Sequence, residues 1–240
     1  MTAHLTAPPT ETVDPSAPAH QRRKAERPDE LLDAALSLFV EKGYAATRID
    51  EVARRAGVSK GTLYLYYASK EELLKAVIRS RLSTPIAEAI ETVAAHTGDT
   101  DELLTDVVAP WWAEVIGSDA SGVFKLIITE VRNFPDIAEF YNREVVEPGH
   151  RVMETVIRRG IDRGEFRAVD VPSAVHSLLL PLIMLCVHRH SLGACEAAAS
   201  IGDPLVFIRA HFELLLHGLR QVPDIPSGAS GASGASKAQT

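Results

Sequence analysis

The chain has 240 residues, of which 46% are hydrophobic, and its formal net charge is −7. This length allows one large domain or two smaller ones with a substantial buried core. We find no run of about 18 uncharged apolar residues and no secretory signal, which predicts a cytoplasmic protein without a membrane partner.

The charge is unevenly distributed along the chain. Residues 21–80 hold 12 Lys and Arg against 9 Asp and Glu, a balance of +3, while the remaining residues hold 13 against 23, a balance of −10. A basic segment attached to an acidic body is typical of a protein that meets DNA with one end only.

Both ends of the chain are predicted to be disordered. Residues 1–20 are rich in Pro, Thr and Ala, and residues 223–240 include a repeated Gly-Ala-Ser pattern. A short basic run follows the N-terminal extension and consists of Arg22, Arg23, Lys24 and Arg27. This run is either a solvated arm or an arm that follows the DNA backbone or enters the minor groove.

Apolar residues recur at helical spacing in the first domain, which we place at residues 21–75. One helix contains residues 31–39 and ends at Gly43. Three more helices begin at the capping residues Thr47, Ser59 and Ser69, and the first of these three ends at Gly57.

The helical pattern continues through a second domain, residues 76–222. Its predicted helices cover residues 85–96, 101–117, 120–132, 135–164, 171–192 and 203–221, with Thr100, Asp170 and Asp203 in capping positions. Pro110 and Pro148 are expected to kink or end their helices. The predicted fold is all-α, with an N-terminal three-helix domain and a larger C-terminal helical domain.

The segment from Thr47 to Lys70 has the strongest functional signal. A helix of about eight residues, a turn and a second helix match the length of a helix-turn-helix motif. Gly57 supplies the positive φ that the turn needs, and Val58 is expected to fill the core between the two helices.

The second helix of this motif has a surface suited to the DNA major groove. Residues 60–64 lie on its N-terminal half, which reaches base edges in such motifs. Tyrosine hydroxyls, cationic groups and helix N-termini in the same segment are suited to phosphates. The predicted DNA-contacting residues are Thr47, Arg48, Ser59, Lys60, Gly61, Thr62, Tyr64, Tyr66 and Lys70.

Residues 25–75 resemble the DNA-binding domain of the TetR family of regulators. The resemblance lies in the run Ala56-Gly57-Val58-Ser59-Lys60-Gly61-Thr62-Leu63-Tyr64 and in Ser69-Lys70-Glu71-Glu72-Leu73-Leu74. Leu65 and Tyr67 depart from the pattern, since the family usually has Phe at position 67, and Tyr67 is expected to pack rather than contact DNA. The stretch from Glu130 to Pro135 looks like the AcrR-type branch of the family.

The resemblance implies a homodimer that binds a palindromic operator through two copies of the 59–66 helix. It also implies that a small apolar effector in the C-terminal domain releases the DNA, so that the protein acts as a repressor. The AcrR-type branch further implies control of an efflux pump.

The middle helices contain candidates for an effector cavity. Most of their aromatic residues are expected in the core, but ligand pockets are also apolar with few polar groups. The candidate ligand-binding residues are Trp111, Trp112, Phe124, Ile128, Arg132, Met153 and Met184.

No metal or other cofactor is predicted. On a helix, His188 points away from the face shared by Cys186 and His190, so the three cannot converge on one ion. Cys186 and Cys195 are expected to be small buried hydrophobic residues. The helices at 171–192 and 203–221 have broad apolar faces, which form either an intramolecular core or a four-helix dimer interface.

Two other classes of function remain open. The chain could be an enzyme with an appended DNA-binding module, although GxSxG, P-loop, HExxH and dinucleotide-binding motifs are missing from the sequence. It could also be an architectural DNA-binding protein, although coating DNA requires more basic surface than this chain has.

Overall fold

The computed structural model of the chain describes residues 19–191 and 202–220. The predicted disorder of residues 1–18 and 221–240, and the predicted burial of Cys195, lie outside this part of the chain. The described helices are α1 Ala19–Lys42, α2 Ile49–Arg55, α3 Lys60–Tyr66, α4 Lys70–Ile78, α5 Thr84–Ala95, α6 Thr100–Glu102, α7 Ala109–Gly117, α8 Ser121–Glu130, α9 Pro135–Tyr141, α10 Glu147–Asp162, α11 Val171–His190 and α12 Pro204–Leu219. Across residues 19–191 and 202–220 there is no strand, only an isolated bridge between Phe166 and Arg220. The predicted all-α fold is confirmed.

The basic run near the N-terminus is helical. Arg22, Arg23, Lys24 and Arg27 all lie within α1, which begins at Ala19 rather than near Leu31. The expectation that this run lies ahead of the first helix is therefore wrong, while its contact with DNA stays a prediction.

Four of the six predicted capping residues cap their helices. The side chains of Ser59, Ser69, Asp170 and Asp203 accept backbone N–H groups of the following helix at 2.8–3.1 Å. Thr47 and Thr100 do not cap, because the N-cap residues of α2 and α6 are Arg48 and Asp99. Both threonines are instead buried.

Three long helices contain a π-helical turn. These turns are Arg79–Ser83, Leu103–Val108 and Asn142–Val146, and they join α4 to α5, α6 to α7 and α9 to α10 without a break. The N–H groups of Thr84, Ala109 and Glu147 each bond to the carbonyl five residues earlier. The predicted kinks or ends at Pro110 and Pro148 therefore take the form of widened turns in helices that continue.

A proline follows each π turn after one residue, at positions 85, 110 and 148. Proline has no N–H group, and its ring crowds the carbonyl four residues earlier, so a wider turn relieves the clash. Pro28 and Pro181 lie inside α1 and α11 without a π turn. Proline alone is therefore not sufficient to produce a π turn, and the packing around the three turns contributes to their formation.

The N-terminal helices and the C-terminal helices share one connected hydrophobic core. Helix α1 packs on α8 and α4 packs on α9, while α8 lies along α11 and α7 along α12. Lys125 donates a hydrogen bond to the carbonyl of Val40 at 3.2 Å, and the rings of Tyr44 and Phe134 meet edge to face at 4.7 Å. The predicted domain boundary near residue 75 falls inside the continuous helix formed by α4 and α5.

Helix α11 is long and apolar enough, by length and composition, to span a membrane. The expectation of no membrane helix stays a prediction, because α11 also contains the polar residues Ser173, His176 and Ser177. One face of α11, with Val175, Leu178, Leu182 and Cys186, is buried against the rest of the protein. Because core helices of soluble proteins meet the same criterion, this helix gives only weak evidence for a membrane segment.

Candidate functional site

Helices α2 and α3 form the predicted helix-turn-helix. Gly57 has a φ of 66°, which is unfavourable for residues with a side chain, and it reverses the chain between the helices. The N–H of Val58 bonds to the carbonyl of Ala53 at 2.9 Å, and Val58 packs against the core as expected. Ala53 is buried where the helices cross.

Helix α3 has one buried face and a wide exposed face. Leu63 points inward and is fully buried, while residues 60, 61, 64, 65 and 66 are exposed. Ser59 accepts the N–H of Thr62 and lies 2.8 Å from the hydroxyl of Thr62. The ammonium group of Lys60 lies 5.9 Å from the centre of the Tyr64 ring. This surface has the polar, cationic and aromatic groups that DNA recognition uses.

Leu65 is the most exposed large hydrophobic residue on this surface, with 85% of its area accessible. From the sequence, Leu65 was noted only as a departure from the family pattern. Helical spacing contained the signal that was missed, because Leu65 is one turn beyond Gly61 and follows the exposed Tyr64. Tyr67 is partly buried and packs against the core, in agreement with the expectation.

Two predicted phosphate contacts have structural roles instead. Thr47 is 1% exposed, and its hydroxyl lies 2.7 Å from the carbonyl of Gly43 and 3.2 Å from that of Leu38. The ammonium group of Lys70 donates to the carbonyls of Tyr44, Ala45 and Thr47 at 2.8, 3.2 and 3.0 Å. All three N–H bonds of Lys70 are thus in use, and burial lowers its pKa.

Arg48 remains available at the start of α2. Its side chain is largely exposed and pairs with Asp50 at 3.2 Å. Lys42 and Arg55 pair with Glu51 and Glu41, and these two ion pairs link α1 to α2. Arg48 is therefore free to exchange its exposed partner for a phosphate, whereas Lys42 and Arg55 hold α1 and α2 together.

An apolar cavity lies among the C-terminal helices. The space between its lining side chains is about 850 Å³, part of which is open to solvent. Of the seven predicted ligand-binding residues, Trp111, Trp112, Phe124 and Met153 line it. Ile128, Arg132 and Met184 do not line it and are exposed, so their assignment to this cavity is wrong.

All three π turns contribute to the wall of this cavity. Leu82 comes from the first turn, Val107 and Val108 from the second, and Val145 and Val146 from the third. Sequence reasoning missed these residues because they belong to separate helices that only the tertiary fold brings together.

Polar groups are few in the cavity wall. The lining residues include no Lys, Arg, Asp or Glu, and their only ionisable side chains are Tyr141 and His150. Burial raises the pKa of the Tyr141 phenol, which keeps it protonated. Burial and the nearby His176 ring lower the pKa of His150 and favour the neutral imidazole.

Exposed apolar side chains form a second surface on the last two helices. Leu180 and Met184 on α11, and Phe207 and Leu214 on α12, are all exposed. Exposed small residues continue these rows at helical spacing: Ser173 and Ser177 on α11, and Ala210 and Gly218 on α12. We call these eight residues the α11–α12 face.

The Cys186 thiol is buried, as expected, and burial raises its pKa to about 12. His190 lies 2.8 Å from the hydroxyl of Ser121 through Nε2. In the part of the chain that the structure describes, no three side chains are grouped as metal ligands would be.

A helix-turn-helix domain that shares its core with a larger helical domain containing an apolar cavity defines a class of ligand-responsive DNA-binding regulators. Two family models match the chain: that of bacterial regulatory proteins of the tetR family over residues 31–77, and that of the tetracyclin repressor-like C-terminal domain over residues 94–201. The chain belongs to the TetR family of transcriptional regulators.

Relatives in this family include both an activator and a repressor. The transcriptional activator FasR of Mycolicibacterium smegmatis is 33% identical over 113 residues, which are 47% of this chain and 51% of that protein. The transcriptional repressor KstR2 of the same species is 24% identical over 193 residues, 80% of this chain and 93% of that protein.

A solved structure of the regulator FadR from Bacillus subtilis in complex with stearoyl-CoA has the same fold. It gives a TM-score of 0.65 at 21% identity, and the match covers 79% of this chain and 98% of that one.

Proposed function

We propose that this regulator is a cytoplasmic homodimeric repressor that leaves a palindromic operator when an apolar small molecule fills the C-terminal cavity. The observation that supports it most directly is the continuous helix α4–α5. At one end Lys70 holds the backbone before α2, and further along Leu82 and Ile86 line the cavity. One rigid element thus joins the effector cavity to the helix-turn-helix.

The proposed DNA contacts are the exposed members of the predicted set together with the half-buried Thr62. Lys60, Gly61 and Thr62 are at the N-terminal half of α3, which enters the major groove in helix-turn-helix proteins. Tyr64, Tyr66, Ser59 and Arg48 would bind phosphates around them. Thr47 and Lys70 are removed from the set because their polar groups are already satisfied within the protein.

A second copy of the chain is the proposed occupant of the α11–α12 face. Two helices of each copy would form a four-helix interface around a two-fold axis, with the small residues allowing close approach. A two-fold dimer presents its recognition helices to two half-sites of a palindrome about one helical turn apart.

A second route from the cavity to the DNA-binding helices passes through α9. Tyr141 lines the cavity, and its neighbour Phe140 is buried beneath the cations of Lys75 and Arg79, 5.8 and 4.7 Å from the ring centre. Both cations belong to α4 or to the turn that continues it. A ligand that displaces Tyr141 would therefore also move α4, which changes the separation of the two recognition helices.

The regulated genes are proposed from the relatives. KstR2 is a ketosteroid regulator in a solved structure, and FadR was crystallised with an acyl-CoA. We therefore favour genes of lipid metabolism over the efflux pump that the AcrR-type resemblance implied.

The first experiment measures binding by fluorescence anisotropy at fixed physiological salt. The purified protein is titrated onto its own upstream DNA and onto scrambled DNA of equal length. We expect a preference of at least 10³-fold for the natural sequence, the lower end for specific regulators. Equal affinity would contradict sequence-specific regulation from that site, and operator selection from random DNA would then show whether any preferred sequence exists.

The cavity is tested with N-phenyl-1-naphthylamine, a neutral dye that becomes fluorescent in apolar sites. Gly149 lines the cavity, and a Cβ atom added there meets no other atom within 4 Å. Gly149→Leu should fill the cavity and weaken dye binding at least tenfold, whereas the smaller Gly149→Ala should retain binding. Equal dye affinity in all three proteins would place the dye outside this cavity.

A further inference from the structure

Tyr141 and His150 are the feature of the cavity that apolar packing does not explain. They lie nine residues apart on the continuous helix formed by α9, the third π turn and α10, and both line the cavity. A regular α-helix would place residues nine apart on nearly opposite faces, and the wider π turn between them reduces that angular separation.

The hydrogen-bonding capacity of both side chains is unused. In the described ranges, neither the phenol oxygen of Tyr141 nor a ring nitrogen of His150 has a hydrogen-bond partner. The neighbouring His176, in contrast, donates a hydrogen bond from Nδ1 to the carbonyl of Pro172 at 2.7 Å. The His150 and His176 rings meet edge to face, 5.1 Å apart. Neither side chain is among the fully buried unpartnered groups of the described residues, so water can reach both and a ligand oxygen can replace that water.

The charge of the wall limits which ligand can satisfy them. The cavity lining has no Lys or Arg that could pair with a carboxylate, and no Asp or Glu that could pair with an amine. An unpaired charge transferred into such surroundings loses its hydration without compensation. A neutral oxygen, in contrast, can accept a hydrogen bond from the phenol at little cost.

We propose that the effector is an uncharged apolar molecule with a hydrogen-bonding oxygen, a ketone, ester, thioester or alcohol, which Tyr141 and His150 bind inside the cavity. This inference rests on the proposed function of the cavity and specifies its ligand class. It excludes ionised carboxylic acids and protonated amines from the buried part of the site, and it makes Tyr141 and His150 the residues that determine specificity.

The protonation states agree with this assignment. The raised pKa of Tyr141 keeps its hydroxyl available as a donor over the whole physiological range. The lowered pKa of His150 keeps one ring nitrogen as a donor and the other as an acceptor at neutral pH.

The test uses three probes with the same nine-carbon skeleton: nonane, 2-nonanone and nonanoate. Each probe displaces N-phenyl-1-naphthylamine from the full-length protein at pH 8, where nonanoate is ionised. Wild type, Tyr141→Phe and His150→Phe are compared, and Gly149→Leu is the blocked-cavity control. Tyr141→Phe removes a single oxygen atom and keeps the ring that packs in the wall.

We expect wild type to bind 2-nonanone at least tenfold more tightly than nonanoate. Tyr141→Phe should weaken the binding of 2-nonanone about five- to tenfold, as expected for one lost hydrogen bond. The affinity for nonane should stay within twofold of the wild-type value. His150→Phe should act in the same direction. Thermal unfolding of each variant shows that it is folded.

Two outcomes overturn the inference while leaving the cavity as the effector site: tighter binding of nonanoate, or equal effects of Tyr141→Phe on 2-nonanone and nonane. If Gly149→Leu has no effect on any probe that binds, the cavity itself is not the site. That last outcome contradicts the proposed function and the inference together, so the two failures are distinguishable.

Discussion

Lys70 illustrates how one side chain can be assigned opposite roles from sequence and from structure. Its position just after the recognition helix suggests a phosphate contact, but its ammonium group binds three backbone carbonyls and lies 4.4 Å from the centre of the Tyr44 ring. These carbonyls belong to the segment between α1 and α2, so Lys70 fixes the entrance to the helix-turn-helix.

Lys70→Met should therefore reduce stability more than it changes the electrostatics of DNA binding. We expect the free energy of unfolding to fall by about 2 kcal/mol, since three carbonyls lose a charged donor. Urea denaturation measures this loss. The slope of log affinity against log salt should be unchanged for the folded variant, whereas loss of a phosphate contact would reduce it by about 0.9 per contact.

We expect Leu65 to contact DNA because it is exposed on the recognition surface, which its sequence environment alone did not suggest. An apolar side chain on a recognition surface can contact the methyl group of thymine in the major groove. Once the operator is known, thymines in each half-site are replaced one at a time by uracil, which lacks only that methyl group. At one position we expect wild type to lose about fivefold in affinity, near the value of one buried methyl group.

The matched variant for this experiment is Leu65→Ala. It should bind the thymine and uracil operators with equal affinity, because the side chain no longer reaches the methyl group. A uracil effect of the same size in wild type and Leu65→Ala would assign the methyl contact to another residue.

At the scale of helices, local sequence signals were sufficient for the positions of most elements, although α1 begins at Ala19, well before the predicted pattern. The predicted segments 135–164 and 171–192 correspond to α9–α10 and α11 within a few residues, because apolar periodicity and the cap at Asp170 are local. Thr47 and Thr100 were misassigned because both are buried in the folded protein, and a capping pattern does not record burial.

The exposed half of α3 was predictable because helical periodicity is also a local signal. The cavity was only half predictable because its wall is assembled from distant helices.

The π turns are the elements that sequence reasoning could not specify. Proline at 110 or 148 was compatible with a kink, an end or a widened turn, and Pro181 shows that a regular helix is also possible. Three widened turns converge on one cavity, which indicates that the wider helix diameter helps to shape that cavity.

Pro110→Ala tests this relation between the turn and the cavity. The alanine N–H can bond to the carbonyl of residue 106, so we expect the segment to rewind as an α-helix and the unfolding free energy to rise by about 1 kcal/mol. Val107 and Val108 would rotate with it, and the affinity for N-phenyl-1-naphthylamine should fall severalfold. Pro28→Ala is the control, because it removes a helical proline that is not preceded by a π turn. Unchanged dye affinity in Pro110→Ala would show that the π turn does not shape the cavity.

At the scale of the whole molecule, the α11–α12 face is the proposed dimer interface and would determine how many copies bind DNA. Its exposed leucines and methionine sit on helices whose opposite faces are in the core, so the face is rigid before any partner arrives. Obligate dimer interfaces are more apolar than ordinary surface, which these two helices match. The same face also explains why α11 is apolar enough to resemble a membrane helix, since both of its sides are proposed to be covered.

Leu180→Glu combined with Leu214→Glu should convert the dimer into a folded monomer, because carboxylates from two copies would face one another in an apolar interface. Sedimentation velocity would then show a single species near 26.0 kDa instead of twice that mass. Affinity for a palindromic operator should fall by about 10²- to 10⁴-fold, since the second half-site no longer benefits from a tethered partner, while affinity for an isolated half-site stays the same.

The control is Ile90→Glu, which places the same charge on a similarly exposed apolar residue of α5 and should leave a dimer. A double variant that remains dimeric would assign the interface to another surface, and a monomer that keeps full operator affinity would show that this regulator binds DNA without a second copy.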